Sequence, residues 1–370
     1  MKKQLSSVDL HYLVEELQAL KGSRIDKIYN PEKNLVVFSF YKTNEGKNLL
    51  KIHVGQSIFL SEEKDDYGDI LGFGQLLRKH LDGYFLTEIG QIEPERIAKF
   101  EFKSKNEKKH LYIELFGKGN AILCDESDVI INALEHHEFK DRMIKPKIKY
   151  KYLVMEYNIF DLDKKNLADL LANSKKETVV ICLAVELGLG GIYSEEACML
   201  AGIDKNKNPK DTEGNEISSI LSSVKKIIGK KIEPEVILQE DTPIDAVPFH
   251  FEHYKNYQKK SFSSFSEALS FFYAHFKEIK ETEFDKKMRG LQRIIEEQKT
   301  AILNLKEEEI ESREKGELVY HKYNLIKEIL DEVNKASKKY SWKEIKEKLK
   351  EHKIIKEINE KERKVVVEVD

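Results

Sequence analysis

The chain has 370 residues, enough for two or three domains, and carries 63 Lys and Arg against 66 Asp and Glu, so its net charge of −3 says little about partners. Three cysteines without CxxC spacing or a histidine grouping exclude a disulfide scaffold and a structural zinc site. There is no run of eighteen apolar residues and no cleavable leader, so the expectation is a cytoplasmic protein that meets no membrane.

Residues 6–21 have the spacing of a helix, with Leu10, Leu13, Val14, Leu17 and Leu20 on one stripe and Ser6 or Ser7 as cap. NLVVFSFY and NLLKIHV read as strands joined by the turn-rich TNEGK, and FGQLLRKHLDGYFL starts as a helix at Phe73 that Gly83 ends. RIAKFEFK, HLYIELF, NAILCDE and DVIINAL then alternate between tight turns, which predicts an antiparallel sheet or sandwich ending near Tyr152. Residues 163–229 are helical in pattern around the polar loop KNKNPKDTEGNE. The helix after that loop puts 217, 220, 221, 224, 227 and 228 on one face.

Inside this helical part lies LAVELGLGGIYSEEACMLAGID, residues 183–204, with Gly188, Gly190 and Gly191 between two short helices. A Gly-x-Gly turn lets such helices meet closely and exposes backbone N–H groups that can hold a phosphate. The last third changes character. No proline follows Pro248, and 44 of the 90 residues from 281 to 370 are charged. Leu291, Ile294, Ile295, Ile302, Leu305 and Ile310 form a thin seam, which predicts a long helix or coiled coil in which Gly316 marks a bend or break. KERKVVVEVD reads as a strand opening a further unit, with no return helix for the long one, so the chain is expected to be part of a longer protein.

Two stretches are basic: residues 140–151 hold six cations against one anion, and residues 99–109 five against two. Glu95–Arg96 after Pro94 places an Arg at the mouth of a strand, where it serves either as a phosphate or base reader or as a surface ion pair. Arg78 and Lys79 lie late in their helix, where cations also complement the helix dipole without any ligand. Lys118 and Asn120 sit in the glycine turn FGKGNAIL, which lacks the P-loop layout and is explained equally by hairpin geometry. Asp9, early in the first helix, is either a cap or a group facing a cleft. HExxH, GxSxG and a Cys–His dyad are all missing from the sequence, and carboxylates are too plentiful for any pair to be singled out as general acid and base; no metal or cofactor is expected.

GSRIDKIYN, FGQLLRKHLDG, EPERIAKFEF, LYIELFGKGNAILCD, the glycine stretch, SFSSFSEALSFFY and KGELVYHKY together resemble one family over essentially the whole chain. That family is NFACT, the Rqc2, NEMF and RqcH proteins of ribosome-associated quality control, whose bacterial members were first named fibronectin-binding proteins; the sequence looks most similar to archaeal members. The resemblance implies an α+β, multidomain protein. An NFACT-N domain (1–152), β-rich, antiparallel and similar to the N-terminal domain of the Fpg/Nei glycosylases, precedes a helix-hairpin-helix domain (153–250). The first half of a coiled-coil arm (251–355) and the start of a middle region (356–370) follow, with an NFACT-R domain beyond. It implies binding to a large ribosomal subunit obstructed by peptidyl-tRNA, recruitment of aminoacyl-tRNA (tRNA-Ala in the usual bacterial case) and mRNA-independent C-terminal tailing, with peptide transfer left to the ribosome. Self-association through the coiled coil is a further implied partner.

By resemblance, the family's N-terminal aspartate matches Asp9 and its Asp–Arg pair falls on Glu95–Arg96, with Glu one methylene longer. Its LRK helix matches Leu77, Arg78 and Lys79, and its Arg-x-Ile…Tyr stretch matches Arg142, Ile144 and Tyr150, with Lys147 where a glycine is usual. Arg24 joins these as an RNA-binding candidate, and Gly188, Gly190 and Gly191 shape the hairpin. The rival readings are a DNA glycosylase, a cell-surface adhesin and an RNA-binding coiled-coil scaffold without tailing. The first lacks its Pro–Glu start, because this chain begins Met1-Lys2-Lys3-Gln4, and nothing in the sequence supports export for the second.

Overall fold

Alternating apolar and polar side chains make most of the first third a sheet. The computed structural model describes residues 2, 4–62, 67, 72–138, 142–152, 154–275, 283–349, 354–360 and 362–368. Its first nine strands are β1 (Arg24–Glu32), β2 (Leu35–Lys42), β3 (Gly46–His53), β4 (Ser57–Ser61), β5 (Phe85–Gln91), β6 (Ile97–Lys103), β7 (Lys108–Glu114), β8 (Asn120–Asp125) and β9 (Ile130–Ala133). They form one antiparallel sheet in the order β4-β3-β2-β1-β5-β6-β7-β8-β9, two meanders joined where β1 meets β5. The FSF of β2 and FEF of β6 send Phe38, Phe40, Phe100 and Phe102 to the inner face. Phe38 and Phe102 have ring centroids 6.0 Å apart although their strands lie three places apart, so the sheet is folded over on itself.

Helix α1 (Ser7–Leu17) enters this core, started by a capping box between Ser6 and Asp9. Helix α2 (Gly72–Leu81) packs on β1. Part of the far face of β6 to β9, at the Ile97 end of β6, is buried too, by a segment that includes β10 (His137–Glu138) and β11 (Met143–Ile144) and plugs Ile144 and Tyr150 between Ile97, Tyr112, Ile122 and Ile130. The basic run thus anchors itself through Ile144 and Tyr150 while Lys147, Lys149 and Lys151 stay exposed; Lys140 and Asp141 lie outside the described residues. Lys147, where the family's glycine is usual, holds φ +69°. The turn is kept and the side chain is strained.

Helices α3 (Lys164–Asn173), α4 (Val179–Val185), α5 (Gly191–Ala201) and α6 (Gly214–Ile228) follow. Next come strands β12 (Glu235–Gln239), β13 (Thr242–Val247) and β14 (Gln258–Ser261), in the order β13-β12-β14, and helix α7 (Phe265–His275). Helix α7 packs on β4, β13 and α1, so residues 251–277 belong to the first compact unit, Met1–Lys277, rather than to an arm. Two long-range polar ties close that unit. The Tyr12 hydroxyl donates to the carbonyls of Ile227 and Ile228 at 2.6 and 2.8 Å, and the Glu16 carboxylate accepts from the backbone N–H groups of Phe265 and Ser266 at the start of α7.

The second unit, Glu278–Asp370, begins with α8 (Glu283–His321), whose Leu291, Ile294, Ile295, Ile302, Leu305 and Ile310 are exposed. Helix α8 runs through Gly316 unbroken and stops at Lys322, after which α9 (Tyr323–Ser337) begins. With α10 (Trp342–Lys348) and the hairpin of β15 (Ile355–Asn359) and β16 (Lys364–Val367), α9 makes a small core of Ile329, Val333, Ile345, Ile355 and Ile358.

Candidate functional site

The ends of β6 and α1 and the glycine turn before α5 converge on a cleft of about 930 Å³. Its walls include Gln4, Asp9, Glu95, Arg96, Met155, Gly188, Gly190, Gly191, Tyr193 and Asp245. At its base the charged side chains of an ion network are almost wholly buried. Lys2 Nζ donates to Asp9 Oδ1 at 2.8 Å and lies 3.5 Å from Asp245 Oδ1. Tyr193 donates its hydroxyl to Asp9 Oδ1 at 2.7 Å, and Tyr254 to Asp245 Oδ2 at 2.8 Å. Asp9 Oδ2 accepts from the backbone N–H and the hydroxyl of Ser6.

Asp9 thus has both carboxylate oxygens occupied inside the protein, and serves as cap and as junction between the sheet and the helices. Burial alone would lower the Lys2 ammonium, but the Asp9 and Asp245 carboxylates outweigh it and hold the group charged, above its usual range. Burial, with Asp9 adding to it, pushes the Tyr193 phenol well up and keeps it a donor.

Arg96 sits on the rim. A turn with a cis Glu93–Pro94 bond leads into it, stapled to α1 by Ser7 Oγ donating to Pro94 O at 2.6 Å and to β5 by Gln91 Nε2 donating to Glu95 O at 2.9 Å. Among the described residues the Arg96 guanidinium makes one side-chain hydrogen bond, a long one of 3.4 Å to Gln4 Oε1. Glu95 is turned to the other wall, where its Oε1 accepts the Met155 N–H at 2.7 Å. Burial raises the Glu95 carboxyl, against the Met155 N–H and Arg96. Burial also lowers Arg96, against Glu95.

The opposite wall is the glycine turn. Gly188 and Gly190 have φ of +76° and +86°, and a Cβ on Gly188 would come within 2.6 Å of Met155 Cε. Gly190 is the cap of α5, so the N–H groups of Gly191, Ile192 and Tyr193 open that helix with no acceptor inside it. Half-free arginine donors and a helix start facing one cleft form an anion-binding geometry.

Asp9, Glu95, Arg96 and the three glycines are brought together here; the other candidates are not. Arg78 donates Nε to Ile28 O at 2.7 Å and lies over the Tyr29 ring, and with Lys79 it lines a separate groove beside Asp26, Lys27 and Asp82. Arg142 is spent on Glu114, which also accepts from the Tyr150 hydroxyl at 2.8 Å. Asn120 is buried, bonded to both the N–H and the carbonyl of Glu135. Lys118 is exposed on a turn pinned by Gln4 Nε2, which donates to the carbonyls of Gly55 and Gly117 at 2.6 and 2.8 Å. Arg24 is exposed at the start of β1.

Sequence reasoning missed Lys2, Gln4, Tyr193 and Asp245. Tyr193 lay inside the glycine stretch and had a locatable signal, whereas Asp245 gave none. Among the described residues no group of three or more metal-ligating side chains is found, the three cysteines are buried and free, and no helix is long and apolar enough to cross a membrane.

Residues 6–368 match the family described as NFACT N-terminal and middle domains. The chain belongs to the NFACT family. Among its relatives is the protein named archaeal Rqc2 homolog aRqcH of Methanocaldococcus jannaschii, 28% identical over 392 residues, covering 99% of this chain and 58% of the relative. The human ribosome quality control complex subunit NEMF is 24% identical over 379 residues, covering 93% of this chain and 35% of that one. This NFACT chain therefore spans little more than half of the archaeal relative and about a third of the human one. A structure titled the fibrinogen binding protein from Staphylococcus aureus superposes with a TM-score of 0.62 at 18% identity, covering 72% of this chain and 98% of its own. That likeness shows a shared fold and leaves open what this NFACT chain binds.

Proposed function

We propose that this protein binds large ribosomal subunits still carrying peptidyl-tRNA and positions an aminoacyl-tRNA there for mRNA-independent extension of the stalled chain. Peptide transfer belongs to the ribosome in this reading, and the protein holds the tRNA. The observation that carries it is Arg96, on the rim of the cleft with most of its donors unspent, facing the open N–H groups of α5. In this reading the turn between α4 and α5 is a helix-hairpin-helix element that takes an RNA phosphate, and the base of the cleft keeps both walls in place. The family membership and the relatives' names support ribosome quality control as the setting.

The test is to purify the protein with ribosomal fractions separated and to sequence the RNA that accompanies it. Free large subunits with a narrow set of tRNAs are expected, and the set names the amino acid. Protein free of RNA and absent from large subunits would overturn the reading in favour of a scaffold. In a binding titration Arg96→Ala is expected to weaken tRNA affinity about tenfold without moving the thermal midpoint. Unchanged tRNA affinity in a folded variant would remove Arg96 from the site.

A further inference from the structure

The register of the large sheet places six exposed side chains in one row across six strands. Lys47 of β3 stands opposite Tyr41 of β2, Tyr41 opposite Arg24 of β1, and Arg24 opposite Phe85 of β5. Phe85 in turn stands opposite Lys103 of β6, and Lys103 opposite Lys108 of β7. Directly paired residues project from the same face, so the row reads Lys-Tyr-Arg-Phe-Lys-Lys on one side of the sheet. Their chain neighbours Ile25, Phe40, Leu86 and Phe102 are buried on the other side. Five strand spacings make the row about 24 Å long.

Two features mark this row as a surface that waits for a ligand. Tyr41 and Phe85 are 46% and 48% exposed, and among the described residues neither ring has a stacking or cation–π contact, although the Tyr41 phenol lies within electrostatic reach of Lys47. The outer lysines are partly neutralised, Lys47 by Asp26 at 2.8 Å and Lys108 by Glu101 at 3.1 Å. The side chains of Arg24 and Lys103, which flank Phe85, have no hydrogen-bond or ion-pair partner among the described residues. Free cations alternating with bare aromatic faces on a sheet match the alternation of phosphate and base in a single-stranded nucleic acid. A duplex keeps its bases stacked on each other and has no face to offer the rings.

We infer that this row is a second RNA-binding surface, specific for single-stranded or looped RNA, in which Tyr41 and Phe85 stack bases while Arg24 and Lys103 take phosphates. It is distinct from the cleft. Strand β6 begins beside Arg96 and ends at Lys103, so the two sites sit at opposite ends of one strand, about 20 Å apart. The inference shares with the proposed function only the premise that the polymer is RNA.

The experiment is a fluorescence titration of the whole chain with labelled oligouridylate and with a fully paired RNA, at several salt concentrations. Oligouridylate is expected to bind more tightly than the duplex. Tyr41→Ala with Phe85→Ala lowers that affinity about tenfold or more and leaves the salt slope unchanged. Arg24→Ala with Lys103→Ala reduces the slope by about 1.4, or 0.7 for each lost phosphate contact. All four side chains are exposed, so the variants keep the wild-type thermal midpoint. Arg96→Ala leaves oligouridylate binding intact. No oligouridylate binding, or affinity untouched by the aromatic pair, overturns the inference. So does loss of oligouridylate in Arg96→Ala alone, which would assign it to the cleft. If the aromatic pair leaves RNA affinity unchanged but abolishes sedimentation with ribosomal subunits, the row meets protein and the inference also fails.

Discussion

Asp9 shapes the candidate cleft entirely through contacts inside the protein. Its carboxylate is shared among Lys2, Ser6 and Tyr193, and the neighbouring Lys2–Asp245–Tyr254 contacts extend the same network. Removing one member of a buried ionic group costs about 3–5 kcal/mol, because its partners stay buried and charged. The walls that carry Arg96 and the α5 start are tied together through it. Lys147 is the opposite case, a residue at odds with its backbone. A lysine at φ +69° pays for a left-handed conformation that glycine adopts freely, so Lys147→Gly is expected to raise stability by about 1 kcal/mol, read as a higher denaturant midpoint with an unchanged slope. A lowered midpoint would mean that the aliphatic stem packs usefully. At this scale the sequence was half legible. Arg96 and the glycines stood out by chemistry and spacing, but the groups that complete the base of the cleft come from positions 2, 193 and 245, which no local pattern connects.

Helix α7 is held by its start and by one face. The Glu16 carboxylate caps it, and Tyr273 stacks with Phe59 of β4 and with His53 at the end of β3, at centroid distances of 5.8 and 6.4 Å. Burial first, and the Lys51 charge second, lower His53 from 6.5 to about 4. The unfolded chain binds the proton near pH 6.5 and the folded one only near pH 4, so between these values the unfolded state holds more protons. Stability conferred by the neutral ring is complete above pH 6.5 and is lost as pH falls toward 4, by about 3 kcal/mol. His53→Phe keeps a ring in the stack and is expected to flatten the stability profile between pH 6.5 and 5 in urea titrations. An unaltered slope would show that other groups set it. The strands β2, β3 and β6 to β9 were legible from alternation, and α8 from its seam. Strands β1, β4 and β5 were not: β1 carries Asp26, Lys27, Asn30 and Pro31, and β4 is only five residues long. Strands β12 to β14 and α7 escaped because their burial is set by α1 and β4, some 200 residues earlier.

For the molecule as a whole, every tie that closes the first unit ends before residue 277. A chain cut after Lys277 is therefore expected to unfold in a single cooperative transition and to keep tRNA binding. Limited proteolysis and calorimetry check this, and a broad transition would show that residues 278–370 are needed for the fold. The Staphylococcus aureus structure, 98% of which aligns with 72% of this chain, agrees with a unit of this size. The domain boundary drawn from sequence near residue 250 fell short because the strands and helix after it look separable until their partners are known.

The tie between Glu16 and the start of α7 also has a consequence in time. As the chain is synthesised, α1 emerges about 250 residues ahead of the backbone groups its carboxylate will cap, and Lys2 waits as long for Asp245. The nine strands can pair early through neighbouring hairpins, but the buried charges at their end have no complete set of partners until translation passes α7. Synthesis thus delivers a nearly finished sheet with an unfinished polar seam, and the cleft closes only after the start of α7 has emerged.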